Sequence, residues 1–467
     1  MTAIPRLLVA VLALSLSACK GGEELTVEEA DVRVSGLDDV DARSLRGCVD
    51  ELGGVHLVWT DDRDGVDTIW HAASADGGAS WTEQRVSDDG PASEPDVACV
   101  GERVYVVWED LRDSDVDLGN VYLDRSLDAG ATWGEDLPLD DDPFGEDMSR
   151  GPRIAAEGSS VHVVWYDGRS GAFDVYIQSS TDGGDIWLND AVRVDTDEAG
   201  AAWSGAPQIA ADGLGSVVVV WEELRDGVPS VHANASTDFG RSFGPADVAL
   251  DDGAGISDPI LARDGDRVLV AWHEDTEGGR VVRGAASGDG GEFWAPAQDL
   301  SPTGVDAFRP ALAGAGGVIH AAWQDDRVGF HDVFHRSYAG GGDWGDEHRL
   351  DMDWEGSGLS LEVALAAWDD ELVVAAWEDR RDDGNGLGFN DLYYNWSEDG
   401  GLTWSEVDMR INGDAPGGGW SQEPWISRSP DGDVLYFAWL DGRYGSADVY
   451  FNALDVGAES EWDPPAP

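Results

Sequence analysis

The chain has 467 residues, of which 42% are hydrophobic, and this is enough for a substantial core. Its 94 acidic residues outnumber 29 basic residues and give a formal net charge of −65 at pH 7. A surface this acidic repels phosphate backbones, so we exclude nucleic acid as a partner. The charge is typical of a solubilising or salt-adapted surface, and it leaves open a site for divalent cations, which carboxylates bind.

The first 18 residues have the pattern of an export signal. Arg6 supplies a positive charge, and residues 7–18 form an apolar run shorter than the ~20 residues that span a bilayer. The run ends in Leu-Ser-Ala-Cys at residues 16–19, which resembles a bacterial lipobox. We therefore predict a signal peptide over 1–18, lipidation of Cys19 and a polar tether up to residue 30. The alternative is an ordinary secretory signal with an incidental cysteine.

These features predict a lipoprotein of the cell envelope, anchored in the outer membrane and exposed outside the cytoplasm. The lipid is its only expected contact with the membrane. Export also permits a disulfide between the two remaining cysteines, Cys48 and Cys99, which occupy nearly equivalent places in the first two repeats. Whether they pair depends on geometry that the sequence does not contain.

A repeat fills the chain from residue 31 to its end. An apolar strand ends in tryptophan eight times, and consecutive tryptophans lie 49 to 62 residues apart. This spacing is right for the four-stranded blade of a β-propeller. The eight tryptophans are Trp59, Trp108, Trp165, Trp221, Trp272, Trp323, Trp377 and Trp439.

The two ends of the repeat region complement each other. The eighth repeat lacks a fourth strand, and residues 31–35 match the pattern of one. If they complete the last blade, the ring closes and no sheet edge stays open. We predict an all-β fold in which residues 31–467 form one eight-bladed propeller. A seven-bladed ring with one displaced repeat is the alternative.

A second signature, Ser-x-Asp-x-Gly-x-x-Trp/Phe, follows the third strand in six repeats. Glycine accepts a positive φ, while the serine and aspartate oxygens accept hydrogen bonds from amides of the turn. A degenerate copy has Ala339 in place of the aspartate, and the eighth repeat keeps only fragments. The six aspartates are Asp76, Asp128, Asp182, Asp238, Asp289 and Asp399.

With this signature, residues 31 to 462 resemble the Asp-box (bacterial neuraminidase repeat) propellers of the sialidase superfamily. In that superfamily the Asp boxes lie on the face away from the active site. Sialidases also have six blades, a Phe/Tyr-Arg-Ile-Pro motif, an arginine triad, a Tyr–Glu nucleophile and an Asp acid/base. In this chain the string most similar to the Phe/Tyr-Arg-Ile-Pro motif is Phe308-Arg309-Pro310, which lies in the sixth repeat. We also expect eight blades instead of six. We therefore transfer no catalytic residue.

The loops that enter the first strand of each blade depart most from the repeat. One loop is crowded with acidic residues, and others carry tryptophans that can stack on sugar rings or cap the central channel. Paired carboxylates could also hydrolyse glycosides. The candidate ligand face comprises Asp142, Asp147, Arg150, Trp203, Arg309, Trp354, Trp420 and Trp425.

Arginines recur after the second strand of seven repeats, with Thr276 breaking the series in the fifth. Their repetition favours an ion pair within each blade over a ligand-binding ring. They are Arg63, Arg112, Arg169, Arg225, Arg327, Arg380 or Arg381, and Arg443.

The sequence predicts no cofactor and no established metal site. Calcium is the alternative considered at the carboxylate-dense residues 61–67, which lack the distal Glu of an EF-hand. The expected function is non-catalytic binding of an extracellular glycan or protein by a monomer. A sialidase-like glycoside hydrolase and an envelope scaffold are the alternatives.

Overall fold

Eight apolar strands that end just beyond a tryptophan form the interior of eight antiparallel sheets. Both faces of each strand are apolar because both are covered by neighbouring sheets, and all eight tryptophans are fully buried. The computed structural model describes residues 31–36, 40–88, 90–112, 118–141, 147–225, 227–251, 255–342, 344–354, 358–369, 371–383 and 388–456. Within these ranges all regular structure is β, and no helix is present that could cross a membrane.

Each sheet is a blade of four strands, and the blades are numbered one to eight along the chain. In blades 1 to 7 the strands are hydrogen-bonded in sequence order, whereas the N-terminal strand is the outer strand of blade 8. The first strands span Arg43–Val49, Ala92–Val100, Ser149–Glu157, Trp203–Ala211, Ile256–Asp264, Ala307–Ala315, Ser360–Trp368 and Ser421–Arg428. The second strands span Val55–Asp61, Arg103–Asp110, Ser160–Asp167, Val217–Arg225, Arg267–Thr276, Val318–Asp325, Leu372–Asp379 and Val434–Asp441. The third strands span Thr68–Ser74, Asn120–Ser126, Asp174–Ser180, Val228–Ser236, Gly279–Ser287, Asp332–Tyr338, Asp391–Ser397 and Asp448–Asp455. The fourth strands span Thr82–Arg85, Leu137–Pro138, Val192–Arg193, Val248–Ala249, Gln298–Asp299, His348–Arg349, Met409–Arg410 and Val32–Arg33.

The blades close into a ring. The first strand of every blade contacts the first strand of the next, and the first strand of blade 8 returns to that of blade 1. Val32–Arg33 is the fourth strand of blade 8, where Val32 pairs with Phe451 and Arg33 with Tyr450. The predicted eight-bladed propeller and its closure by residues 31–35 are therefore confirmed, and the seven-bladed alternative is wrong.

Every first strand contains a β-bulge that the sequence analysis did not predict. At the bulge one residue adopts a left-handed backbone with φ between 48° and 58°, although only one of the eight is glycine. A bulge bends its strand and turns a side chain away from the regular pleat. The same feature in eight blades therefore places a ring of eight residues around the channel. They are Ser44, Glu94, Gly151, Ala206, Asp258, Arg309, Glu362 and Glu423.

The propeller has two faces that differ in their loops. The upper face carries the turns between second and third strands and the connections to the next blade. The lower face carries the turns after first strands and the Ser-x-Asp-x-Gly turns after third strands. On the first strands of blades 1 and 2, a disulfide joins Cys48 and Cys99, whose Cα atoms are 5.9 Å apart. It links two neighbouring blades next to the point of closure.

Candidate functional site

The arginines of the upper face pin each blade internally. Arg169, for example, pairs with Asp167 at 2.6 Å and stacks over the ring of Tyr176 at 4.3 Å. In blade 7 the repeated role falls to Arg381, which pairs with Asp379, while Arg380 binds Asn390. Blade 5 has Thr276 instead, and there Arg283 of the third strand pairs with Glu274 at 2.8 Å. The series is therefore a structural device, as its repetition indicated.

The position directly after each buried tryptophan varies between blades. Neighbouring residues of a strand point to opposite faces of the sheet, so this residue and the tryptophan lie on different faces. Gln324 and Glu378, for example, each accept an amide from the first strand of the next blade. The surrounding strand is nearly the same in all eight blades, so a position that varies between them is one where a single blade can carry a function of its own. The eight residues are Thr60, Glu109, Tyr166, Glu222, His273, Gln324, Glu378 and Leu440.

Two of these residues line a pocket of about 380 Å³ on blades 2, 3 and 4. This volume falls in the range of small-ligand sites, roughly 300–1,000 Å³. The bulges of all three blades contribute to its wall, so the ring of left-handed residues shapes the site. The pocket is lined by Glu94, Glu109, Arg150, Gly151, Arg153, Tyr166, Trp203, Ala206 and Pro207.

The acidic side of the pocket is built on Glu109. Its carboxylate lies 3.2 Å from the guanidinium of Arg150. Burial nevertheless raises the pKa of Glu109 to about 7, with Arg150 lowering it and the charge of Glu94 raising it further. Burial and Glu109 also raise the pKa of Tyr166. The pocket therefore contains a carboxyl group that holds a proton near neutral pH beside a second carboxyl group.

The basic side of the pocket is built on Arg153. Its guanidinium donates to the neighbouring carbonyl of Pro152 at 2.8 Å. Among the described residues no carboxylate forms an ion pair with it, although acidic residues outnumber basic ones three to one in this chain. Arg153 is thus a cation that remains available to a ligand.

Two aromatic rings complete the wall. The rings of Tyr166 and Trp203 lie 6.5 Å apart at an angle of 58°. Gly205 leaves room for the indole, since a Cβ atom there would lie 2.5 Å from it. Gly151 leaves room for Tyr166 in the same way, at 2.7 Å. Half-exposed aromatic faces of this kind can stack on the apolar face of a sugar.

The structure brings together two of the predicted ligand-face residues, Arg150 and Trp203, in this pocket. Asp147 lies three residues before Arg150 and is half-buried. Asp142 and Cys19 lie outside the described residues. Four further lining residues were not predicted, because they occupy positions within strands that follow the repeat and nothing in the sequence marks them. They are Glu94, Glu109, Arg153 and Tyr166.

The other predicted ligand-face residues lie elsewhere. Arg309 occupies the bulge of blade 6 and pairs with Glu362 of blade 7. Trp354 is 86% exposed in the connection to blade 7, beside a shallow concavity with Arg349, Met352 and Asp353. Trp420 packs half-buried against the core between blades 8 and 1. Trp425 lies within a first strand and donates to the carbonyl of Gly47 at 3.1 Å. The loop assignment was therefore wrong for Trp425, and also for Arg150 and Trp203, which lie in the first strands of blades 3 and 4.

On the lower face, the six Ser-x-Asp-x-Gly turns share one hydrogen-bond pattern. In the first, Ser74 donates to Asp76 at 2.9 Å, and Asp76 accepts the amide of Ser80 at 2.8 Å. The hydroxyl of Ser80 also donates to Asp76, and this bond, with the two above, lowers the pKa of Asp76. A wider concavity of about 540 Å³ lies beside the turn of Asp128, but its arginine, Arg125, is already paired with Asp185. The pattern is that of a structural turn.

Three groups of described residues have metal-like ligand spacing, and each already contains a guanidinium. They are Asp174, Asp195 and Asp197 with Arg193; Asp332, Asp351 and Asp353 with Arg349; and Glu223, His232 and Asp247 with Arg225. In the segment considered for calcium, Asp61 binds Arg63 and Asp67 pairs with Arg43. The arginines supply the positive charge that a metal would bring to these places.

No family model and no curated protein matches this chain. Among solved structures, it is similar to an ulvan lyase at 14% identity, covering 79% of this chain and 94% of that one, with a TM-score of 0.47. It is similar to an α-L-arabinofuranosidase of Fusarium graminearum at 17% identity, covering 63% and 92%, with a TM-score of 0.42. It is also similar to a sialidase of Streptococcus pneumoniae at 11% identity, covering 87% and 84%, with a TM-score of 0.40. At this level of identity and superposition, the likeness does not indicate which ligand this chain binds.

Proposed function

We propose that the protein binds an anionic extracellular glycan in the pocket between blades 2 and 4. The observation that carries the proposal is Arg153, a pocket-lining cation without an ionic partner among the described residues. In a chain with a net charge of −65, an arginine left free inside a concave site favours a carboxylate or sulfate ligand. The indole of Trp203 offers the apolar surface on which a sugar ring can stack.

The protein then acts as a monomeric surface lipoprotein of the Asp-box type, held at the outer membrane through Cys19. The lipobox-like string at residues 16–19 supports the anchor, and the six repeated turns support the Asp-box assignment. In this arrangement the membrane touches only the lipid, and the upper face is free to meet glycans outside the cell.

A glycan array tests the binding. Acidic oligosaccharides that carry uronate, sialate or sulfate groups are compared with neutral ones on the purified protein. We expect acidic glycans to bind, and Arg153→Ala and Trp203→Ala to weaken the binding about 10-fold or more, since each removes a direct contact. Trp354→Ala is the matched control, because it removes an exposed tryptophan outside the pocket. Retention of acidic glycans by both pocket variants contradicts the proposal.

Cleavage of the bound glycan is a second candidate function. It is favoured by Glu109, whose pKa of about 7 suits a general acid, and by the neighbouring carboxyl group of Glu94. A reducing-sugar assay on the glycans that bind decides between the two functions. Cleavage predicts turnover that Glu109→Gln abolishes while binding persists, and the absence of turnover leaves the protein a binding module.

A further inference from the structure

The start of the third strand holds a buried polar cluster in several blades. In blade 3, Asp174 and Asp195 converge on one Nη atom of Arg193, at 3.0 Å and 2.9 Å. Asp195 also accepts the amide of Val175 at 3.2 Å, which fixes its position. Blades 6 and 7 repeat the arrangement, with Arg349 on Asp332 and Arg410 on Asp391. In each of these blades an arginine of the fourth strand supplies the positive charge.

Blade 2 has the polar cluster without the arginine. Asn120 begins its third strand as Asp174 does in blade 3, and Asp140 accepts the amide of Val121 at 3.0 Å as Asp195 accepts that of Val175. The fourth-strand residue opposite Tyr122 is Pro138, at the register where Arg193 lies opposite Tyr176. Proline brings no charge, so the fourth strand of blade 2 supplies no guanidinium at this register.

The side chain of Asn120 marks a missing partner. It is 1% exposed, and among the described residues neither its Oδ1 nor its Nδ2 atom has a hydrogen-bond partner. A buried amide without a partner costs about 1–3 kcal/mol. In blade 3 the residue at this register, Asp174, pairs with the guanidinium of Arg193, so Asn120 occupies the register at which blade 3 has a cation as partner. Asp140, which is 5% exposed, occupies the register of Asp195, the second partner of Arg193 in blade 3.

We infer that blade 2 binds a calcium ion at the position that the arginine guanidinium occupies in blades 3, 6 and 7. Asn120 Oδ1 and the carboxylate of Asp140 are its protein ligands, and water completes the coordination. Amide and carboxylate oxygens are the ligands that calcium prefers, and calcium tolerates irregular geometry. The strongly acidic protein raises the local concentration of cations around the site. This inference is independent of the proposed glycan function.

Isothermal titration of the EDTA-treated protein with CaCl₂ tests the inference, with NaCl at about 0.15 M to suppress diffuse binding to the acidic surface. We expect one saturable site per chain, with a Kd in the range of extracellular modules, about 10⁻⁴–10⁻³ M. Pro138→Arg places a guanidinium where Arg193 lies in blade 3, and it should weaken calcium binding by at least about 10-fold. Asp197→Asn is the matched control, since its cluster already contains Arg193, and it should bind calcium like the wild type.

A second variant tests the inference independently in case Pro138→Arg does not fold. Asn120→Asp adds a carboxylate ligand and should tighten binding several-fold. The inference is overturned if the wild type shows no saturable site, which would leave water as the partner of Asn120. It is equally overturned if Pro138→Arg folds and binds calcium like the wild type, or if Asn120→Asp leaves the affinity unchanged.

Discussion

Arg443 donates to the carboxylate of Asp31 across 2.8 Å, and this ion pair joins the two ends of the propeller. The same carboxylate accepts the amide of Gly413 at 2.7 Å, and its side chain is 1% exposed. Asp31 directly precedes the two-residue strand that completes blade 8. The closure of the ring therefore depends on a buried charge contact as well as on backbone pairing.

Replacing Asp31 with alanine should destabilise the whole propeller. The change leaves Arg443 with one buried partner fewer and the amide of Gly413 without its acceptor. We expect the free energy of unfolding to fall by roughly 2–4 kcal/mol. Urea denaturation followed by tryptophan fluorescence measures this change, because the eight buried tryptophans report on every blade.

The control for this prediction is Asp185→Ala. Asp185 pairs with Arg125 at 2.6 Å, but its side chain is 66% exposed. An exposed pair contributes less than about 1 kcal/mol. Equal losses in the two variants would mean that the closure contact is no stronger than a surface ion pair.

Much of the fold could be predicted from the sequence because its periodicity is strong. The tryptophan spacing gave the number of blades, and the unmatched strand at residues 31–35 gave the closure. The bulges could not be predicted, because residues as different as Ser44 and Arg309 adopt the same left-handed backbone. Their conformation is imposed by the ring of strands rather than by local preference.

The candidate site was only half visible in the sequence. Arg150 and Trp203 stood out because they interrupt the repeat. Glu109 and Tyr166 occupy ordinary strand positions, and they meet only when blades 2 and 3 pack together. Arg153 matters because no carboxylate of the described residues pairs with it, and a sequence does not show which charges pair in the folded protein.

Asp124 provides a second prediction, because a carboxyl group there replaces a repeated amide. In blades 4 and 7 the corresponding Asn234 and Asn395 donate to a carbonyl of the preceding blade, Val194 and Leu350, each at 2.9 Å. An ionised aspartate cannot donate. Burial raises the pKa of Asp124 from 3.8 to about 6, with backbone hydrogen bonds lowering it and nearby carboxylates raising it.

We therefore expect Asp124→Asn to stabilise the protein at neutral pH. Because the folded pKa is raised, the fold binds a proton that the unfolded chain releases, and the wild type loses stability as pH rises from about 4 to about 6. The cost at pH 7 is roughly 3 kcal/mol at most, and the variant should recover about 2 kcal/mol of it. Urea denaturation at pH 4 and pH 7 measures the difference, which should be small at pH 4.

The control is Asn234→Asp in blade 4, which makes the opposite exchange and should destabilise the protein at pH 7 but much less at pH 4. A gain for Asp124→Asn that is the same at both pH values would show that ionisation of Asp124 is not its cause.

The third prediction concerns the pH dependence of glycan binding. The pKa of Glu109 is raised to about 7, so the group is mainly neutral below this pH and mainly charged above it. Ionisation adds a negative charge beside Arg150 and repels an anionic ligand. We expect affinity for acidic glycans to fall several-fold as pH rises from about 6 to about 8. Titrations across this range measure it.

Glu109→Gln is the informative variant here, because it keeps the side-chain shape and cannot ionise. Its affinity should stay nearly constant across the same range and resemble that of the wild type at low pH. A neutral glycan, if one binds, serves as the ligand control. A pH dependence that survives in Glu109→Gln would assign the titration to another group.

The last prediction compares two buried tryptophans that differ in one hydrogen bond. In seven blades the indole N–H donates to the acidic residue two positions later; Trp165, for example, donates to Asp167 at 3.0 Å. Trp272 of blade 5 is equally buried, but its indole N–H has no partner among the described residues, and Glu274 pairs with Arg283 instead. Substitution by phenylalanine removes similar volume from both cores.

Trp165→Phe should therefore cost more than Trp272→Phe, by about 1–2 kcal/mol in the free energy of unfolding, because only the first change breaks a hydrogen bond to a buried charged group. Trp323→Phe should behave like Trp165→Phe, since Trp323 donates to Asp325 at the same distance of 3.0 Å. Urea denaturation of the three variants measures the costs under one set of conditions. Equal costs for all three would mean that packing alone fixes these tryptophans. A lower cost at Trp272 would show that the repeated Trp–Asp bond stabilises each blade separately.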